Sequence, residues 1–159
     1  MTFQNARPSD ARDVLQLYRS VMGHPYCTWN EFYPGEEDIS ADLRAGDLFV
    51  LEDGEQLIGA VSAVPENELD EQPFWAAREG AAEIARAVIR PSYQGQGISS
   101  LLIQNMLDVL EKRGCKAVHL SVAEVNIPAR KTYERLGFIT VGRVFMYGNY
   151  YFLCEKILL

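Results

Sequence analysis

The sequence predicts an α/β (α+β) fold, a mixed sheet with helices on its faces. Three observations carry this. Strand-like and helix-like segments follow one another in the order β-α-α-β-β-β-α-β-α-β-β. Two tight-turn signals, Asp53-Gly54 and Gly148-Asn149, each separate a pair of extended stretches and mark hairpins. Between them, a strand runs through a glycine-rich turn into a long helical pattern.

Phe3 to Arg7 reads as a short first strand. Ser9 precedes a helical pattern in which Val14, Leu15, Leu17, Tyr18, Val21 and Met22 form one apolar face, and Gly23 ends it. His24 to Gly35 holds two prolines and the aromatics Tyr26, Trp29, Phe32 and Tyr33, and reads as a loop or a broken helix. Asp38 to Ala45 is a short helix closed by Gly46. Leu48 to Glu52 and Gln56 to Val64 form the first hairpin. Pro65 to Arg78 is polar and acidic and reads as a connecting loop. Ala81 to Arg90, rich in Ala, Val and Ile, is a central strand stopped by Pro91. Ile98 to Arg113 is the clearest helix, with Ile98, Leu101, Leu102, Met106, Val109 and Leu110 at three- and four-residue spacing. Lys112 and Arg113 fall in its last turn, and Gly114 follows. Ala117 to Val122 is a strand and Asn126 to Leu136 a helix ending at Gly137. Phe138 to Tyr147 and Tyr150 to Ile157 make the second hairpin.

No repeat, low-complexity tract or linker divides the 159 residues, so 1–159 is read as one domain. Hydrophobic residues at 48% and charged residues at 23% fit a globular chain and argue against disorder. The net charge is −7, so the basic face that nucleic acid requires is not expected. A bound anion stays compatible, because amides and local arginines hold phosphates on an acidic protein. Cys27, Cys115 and Cys154 match no disulfide or metal spacing, and His24 and His119 lie far apart, so no metal is expected. Reduced thiols, with neither a signal peptide nor an apolar run of membrane length, predict a cytoplasmic protein without membrane contact.

Arg90-Pro91-Ser92-Tyr93-Gln94-Gly95-Gln96-Gly97-Ile98-Ser99 is the most informative segment. Its glycines let backbone approach a ligand, and the helix that follows opens with unpaired N–H groups at the positive end of its dipole. Together they suit a pyrophosphate. A plain strand-to-helix turn accounts for a bare Gly-x-Gly equally well. The segment is not a Walker loop, which needs Gly-Lys-Ser/Thr, nor the dinucleotide fingerprint, which needs a third glycine.

In its setting the segment resembles the coenzyme A loop of the GNAT superfamily of N-acetyltransferases, Arg/Gln-x-x-Gly-x-Gly/Ala after the fourth strand. Here it reads Gln94-x-x-Gly97-x-Ser99; serine in the last place departs from the pattern but keeps the position compact. Downstream, Asn126 to Phe138 is similar to the family's Asn-x-x-Ala-x-x-x-Tyr-x-x-x-Gly-Phe, with Ala129, Tyr133, Gly137 and Phe138 in register. The resemblance covers nearly the whole chain. It implies a mostly antiparallel central sheet of about seven strands flanked by four helices. It implies acetyl-CoA as the acetyl donor and no metal. The amides of Gln94, Gly95, Gln96, Gly97, Ile98 and Ser99 would hold the pyrophosphate. Val88, Ile89 and Arg90 would pair with the pantetheine arm, one of their N–H groups polarising the thioester. Asn126 and Ala129 would contact that arm, and Tyr133 would lie near the sulfur.

The chemistry asks for the same parts. An amine attacking a thioester develops an oxyanion that a preoriented N–H stabilises. The leaving thiolate needs a proton, and a tyrosine, with pKa near ~10, holds one at neutral pH. Tyr133 is therefore the candidate acid, with a packed helix aromatic as its bland alternative. The acceptor ammonium must lose a proton. Glu83 on the central strand is the first candidate base, Glu79 the second, and ordered water the third.

The expected reaction is direct acetyl transfer to a primary amine in a ternary complex. The acceptor is read as a small molecule, with a protein N-terminus or lysine as the alternative. Tyr26, Trp29 and Tyr33 are the candidate acceptor residues, and the acidic run Glu36-Glu37-Asp38 is expected to border them. A non-catalytic acyl-CoA sensor is the rival of a different class. Folds of this kind often pair, so a homodimer is an expectation too.

Overall fold

Leu48 to Leu51 is buried at every position because β2 has a core on each face. Phe49 and Leu51 point into one cluster, Leu48 and Val50 into the other, as the period of two in a strand requires. The computed structural model describes residues 1–64 and 68–158. Its elements are β1 (Thr2–Asn5), α1 (Ala11–Val21), α2 (Glu36–Ala45), β2 (Leu48–Asp53), β3 (Gln56–Val64), β4 (Ala81–Ile89), α3 (Ile98–Lys112), β5 (Ala117–Ala123), α4 (Ile127–Arg135), β6 (Ile139–Met146) and β7 (Asn149–Ile157). The order is the one the sequence predicts.

The strands form one sheet in the order β1-β2-β3-β4-β5-β7-β6. Every neighbouring pair is antiparallel except β4 and β5. That parallel pair is short. It joins Ala81 to Ala117, Ala82 to Val118 and Glu83 to His119, and stops there. Beyond Glu83 the two strands part, and the sheet opens into a cleft.

One core lies under α3, where Leu102, Ile103, Met106, Leu107 and Leu110 are almost fully buried. Burying a side chain of this size contributes about 1.5–3 kcal/mol. The expected face of α3 is rotated slightly. Leu101 is exposed, while Ile103 and Leu107 are buried. The run Leu101-Leu102-Ile103 fits two helical stripes equally well, and packing on the sheet selects one. The second core sets Val14, Leu17, Tyr18 and Val21 of α1 and Ile39 of α2 against β2, β3 and β4.

Two local expectations change. Ser9 does not start α1. Pro8–Asp10 forms a 3-10 turn, and Asp10 Oδ2 accepts the Arg7 N–H at 2.8 Å. Asp10, not Ser9, is the N-cap of α1, with its carboxylate at the positive end of the helix dipole. Of the loop expected over Pro65 to Arg78, residues 65–67 lie outside the described residues. The rest is not a bare connection. It contains a 3-10 turn (Glu68–Glu71), and Trp75 is buried. Leu69 and Trp75 pack with Leu153 into a third cluster against the far end of the sheet.

Candidate active site

The parting of β4 and β5 leaves a cavity of about 680 Å³. Its walls are β4 from Glu83 to Ile89, β5 from Ser121 to Ala123, the starts of α3 and α4, the loop between α1 and α2, and the turn between β6 and β7. Of the expected cofactor residues, Val88, Ile89, Gln94, Gly95, Ser99, Asn126, Ala129 and Tyr133 line it. Tyr26, Trp29 and Tyr33 line it on the other side, as does Glu83. Arg90, Gln96, Gly97 and Ile98 belong to the turn and helix start at its edge and are not in its walls. The acidic run Glu36-Glu37-Asp38 is not in its walls either. It forms the first turn of α2, where Asp38 Oδ2 accepts the Gly35 N–H at 2.9 Å.

The glycine turn is shaped by its own backbone. Gly95 and Gly97 adopt φ of 77° and 78°, the left-handed region that glycine enters without cost. A Cβ at either would meet no atom of the described residues within 4 Å, so among these the turn is open on its outer side. Gly97 is the N-cap of α3 and supplies no side chain to cap it. The helical ladder begins with Leu101 N–H to the Gly97 carbonyl at 3.3 Å, so the amides of Ile98, Ser99 and Ser100 precede it. Uncapped amides at a dipole's positive end, beside an open turn, fit a pyrophosphate. Arg90 is engaged elsewhere: its Nε and Nη2 donate to the Leu57 carbonyl at 3.0 and 2.7 Å, bracing the end of β4. Gln94 Nε2 donates to the Ile89 carbonyl at 3.1 Å and to Tyr26 Oη at 2.9 Å. Asn126 Oδ1 accepts the Ala129 N–H at 3.2 Å and so caps α4. Ser99 Oγ meets Thr132 Oγ1 at 3.1 Å, which ties α3 to α4 beneath the cavity.

Tyr133 packs edge-on to Phe138, ring centroids 5.6 Å apart, and against the α3 core. Burial of the phenol, with Cys154 adding a smaller effect, pushes its pKa well above the ordinary tyrosine range. The shift favours the protonated phenol, and Tyr133 lines the cavity. Glu83 is half-buried on β4, at the last residue that pairs with β5.

The sequence reading missed Arg86. It stands in β4 with φ of 52°, uncommon for a residue with a Cβ and worth about 1–3 kcal/mol of strain. Val88 pairs with Ala60 and Ala85 with Ser62, so Arg86 and Ala87 both stand opposite Val61 in a β-bulge. A signal was present. Glu83 and Arg86 are three apart in an Ala-Val-Ile strand, and strict alternation would send them to opposite faces. The bulge brings both to one cavity. The loop from Tyr26 to Tyr33 was read as bordering the site, but its ties were not legible. Thr28 Oγ1 meets the Tyr151 hydroxyl of β7 at 3.2 Å, and Tyr33 accepts from Arg86 Nη1 at 3.1 Å. Leu69, Met146, Tyr147 and Tyr151 complete this side and were also missed.

The segment behind Leu69 is clamped to the sheet. Glu155 of β7 accepts the amide N–H groups of Ala76 and Ala77, each at 3.0 Å. Its Oε2 also meets His119 Nε2 at 2.8 Å. An ionised carboxylate only accepts, so the proton of this bond belongs to His119. Trp75 stacks on the His119 ring at 3.9 Å and donates to the Leu69 carbonyl at 2.7 Å. Phe74 lies over Gly142, where a Cβ would come within 2.6 Å of its ring. Burial opposes the charge on Glu155, but the Ala77 and Ala76 amides and His119 outweigh it and hold the carboxyl below its usual pKa.

Comparison with known proteins agrees with this geometry. N-alpha-acetyltransferase 30 of Schizosaccharomyces pombe is 30% identical over 138 residues, covering 86% of this chain and 82% of that protein. The ribosomal protein bS18-alanine N-acetyltransferase of Escherichia coli K12 is 38% identical over 72 residues, 44% of this chain and 45% of its own length. Among solved structures, a GNAT-family acetyltransferase from Streptococcus agalactiae superposes with a TM-score of 0.84 over 99% of this chain and 95% of that one, at 19% identity. A putative acetyltransferase from Salmonella typhimurium, solved with acetyl-CoA, reaches 0.78 over 99% of this chain and 93% of that one, at 16% identity. The model of the acetyltransferase (GNAT) family matches residues 12–138, and the chain belongs to that family.

Proposed function

We propose that this acetyltransferase moves an acetyl group from acetyl-CoA to the α-amine of a polypeptide. One observation carries the transfer reading: the cleft where β4 leaves β5, with an open glycine turn at one end and aromatic side chains at the other. Acetyl-CoA supplies the thioester electrophile and a thiolate leaving group. The chain supplies the rest. The amides that open α3, with the turn from Gly95 to Gly97, hold the pyrophosphate; the Gln94 N–H, expected to join them, is instead donated to the Pro91 carbonyl at 3.2 Å. Among the described residues, β4 beyond Glu83 has no strand partner on its β5 side, so its edge amides are available to the pantetheine arm and to the oxygen on which charge develops. Tyr133 donates its proton toward the sulfur, and Glu83 takes one from the ammonium.

The choice of acceptor rests on two supports. The relative similar along most of its length is named an N-alpha-acetyltransferase, and the bS18-alanine enzyme acts on a ribosomal protein. The acceptor end is rimmed by exposed Phe32, Tyr33 and Tyr147, an open border past which an extended chain can continue. A small-molecule amine, the acceptor expected from the sequence, is the competing outcome of the test. Free coenzyme A release is followed with peptides bearing a free α-amine, with N-terminally blocked peptides containing lysine, and with small polyamines. Turnover confined to free α-amines supports the proposal. Turnover of small amines alone overturns the acceptor. Silence with every amine, and no rise in melting temperature with millimolar acetyl-CoA, overturns the transfer itself.

A further inference from the structure

The guanidinium of Arg86 joins four elements at one point. Its Nη2 donates to Asp42 Oδ1 and Oδ2 of α2, both at 2.9 Å, and its Nε to Oδ2 at 3.2 Å. Ser62 of β3 donates to the same Oδ2 at 2.6 Å. Nη1 reaches the Tyr33 hydroxyl in the acceptor loop. The side chains of Arg86 and Asp42 are only 11% and 10% exposed. A buried pair of this kind is weak evidence of stability, since well-packed apolar residues often do as well. It does fix geometry, because a planar fork accepts few arrangements. Here the geometry it fixes is the bulge of β4, on which the cleft-facing amides depend. The same loop that supplies Tyr33 also touches Gln94 through Tyr26 and Tyr151 through Thr28.

We propose that Arg86 is a positioning residue that couples the acceptor loop to the β4 bulge, so that an acceptor held at Tyr33 sets the direction of the Ala87 and Val88 backbone. This deepens the transfer reading above and rests on it for its kinetic consequence, while the coupling itself is a property of the free chain. A role in packing alone needs neither the fork nor the Tyr33 hydroxyl.

Two variants test it. Arg86→Lys keeps the charge and loses the fork. Tyr33→Phe removes one hydroxyl from a partly exposed ring, so the fold survives. Amide hydrogen exchange and nitrogen-15 shifts are read in the ligand-free chain. The expected result is that Tyr33→Phe changes the Ala87 and Val88 amides, beyond the Arg86 side chain that it touches, and that Arg86→Lys abolishes the effect of a second change at Tyr33. In turnover, Arg86→Lys should lower kcat by about tenfold, the size of a coupling between neighbours in one network. The acetyl-CoA-induced rise in melting temperature should be smaller than in the wild type, because the same bulge carries the amides offered to the pantetheine arm. Shifts confined to the acceptor loop, with wild-type kcat, would overturn the proposal. A chain that turns over no amine defeats the reading of the previous section, and the exchange measurement still decides the coupling.

Discussion

The two halves of the cleft are built in opposite ways. The half beneath α3 draws mainly on backbone groups within one stretch of chain, from the end of β4 through Gly97 to Ser99, with Asn126, Ala129 and Tyr133 beside it. Its shape follows from two glycines with positive φ and a helix start. The other half is made of side chains from distant segments: Tyr26 to Tyr33, Leu69, Arg86, and Tyr147 and Tyr151. Tertiary bonds hold several of these, Tyr33 to Arg86 and Thr28 to Tyr151 among them. Recognition by local amides tolerates wide variation elsewhere in the chain. Recognition by assembled side chains changes whenever one loop changes. A fold so divided can keep its donor and exchange its acceptor.

The largest effect expected is at Tyr133. Tyr133→Phe keeps the ring on Phe138 and removes a hydroxyl without a hydrogen-bond partner among the described residues. Folding and acetyl-CoA affinity should hardly change. Turnover should fall by roughly 10²–10⁴, the range for a positioned general acid, and in kcat rather than in acceptor KM. A folded variant with wild-type kcat, chemistry being rate-limiting, would return Tyr133 to the role of packing.

Glu83→Gln probes the boundary between the halves. Without a base, only the acceptor already neutral in solution reacts, so the loss at pH 7 should be about tenfold for an α-amine and more than about a thousandfold for a lysine side chain, and should shrink as pH rises. The pH at which the variant meets the wild type then reports the acceptor's own pKa, about 8 for an α-amine and about 10.4 for a lysine side chain. A wild-type rate at every pH would assign the proton to water.

Gly97→Val tests the backbone half directly. Its Cβ meets no atom of the described residues within 4 Å, so the first cost to the fold is the left-handed φ, at least about 1–2 kcal/mol for a β-branched residue. Ligand stabilisation should be lost altogether, about 2.7 kcal/mol at a hundred times the dissociation constant in the wild type. A variant that acetyl-CoA stabilises as well as the wild type would move the donor site away from this turn.

Legibility in the sequence follows the same division. The order of elements, both hairpins and the loop from Gln94 to Ser99 are local, so residue type and spacing reveal them. Tyr133 was findable because it lies within a short motif on one helix. Arg86 was not sought, since alternation treats a strand as regular and a bulge is a tertiary accommodation between β3 and β4. The segment before β4 was read as a polar loop on its composition, because Trp75 alone gives no sign of the Glu155 and His119 that await it 80 and 44 residues further on. The acidic run of α2 misled in the opposite direction. Its charges suit a helix start as well as a binding rim, and the structure uses them for the first.

That clamp supplies the smallest effect, and the one that separates the halves most cleanly. Glu155 holds the wall behind Leu69 through the Ala76 and Ala77 amides, and its folded pKa lies below its ordinary value. A depressed carboxylate contributes stability above the unfolded pKa, near ~4.3, and loses it as pH falls through the lower folded value. The wild-type melting temperature should therefore decline on the acid side of about pH 4.3 as this clamp protonates. Glu155→Gln offers one acceptor oxygen where the carboxylate offers two, and turns an NH₂ toward an amide donor. The unmet donor should lower stability by about 1–3 kcal/mol at neutral pH. The variant's curve should flatten in acid and converge on the wild type, because both then lack the charge. Acceptor KM should rise with the loosened wall, while the stabilisation by acetyl-CoA stays the same. Parallel melting curves from pH 7 to pH 3 would show that Glu155 does not carry the acid sensitivity. A matching loss of acetyl-CoA binding would show that the two halves are not independent.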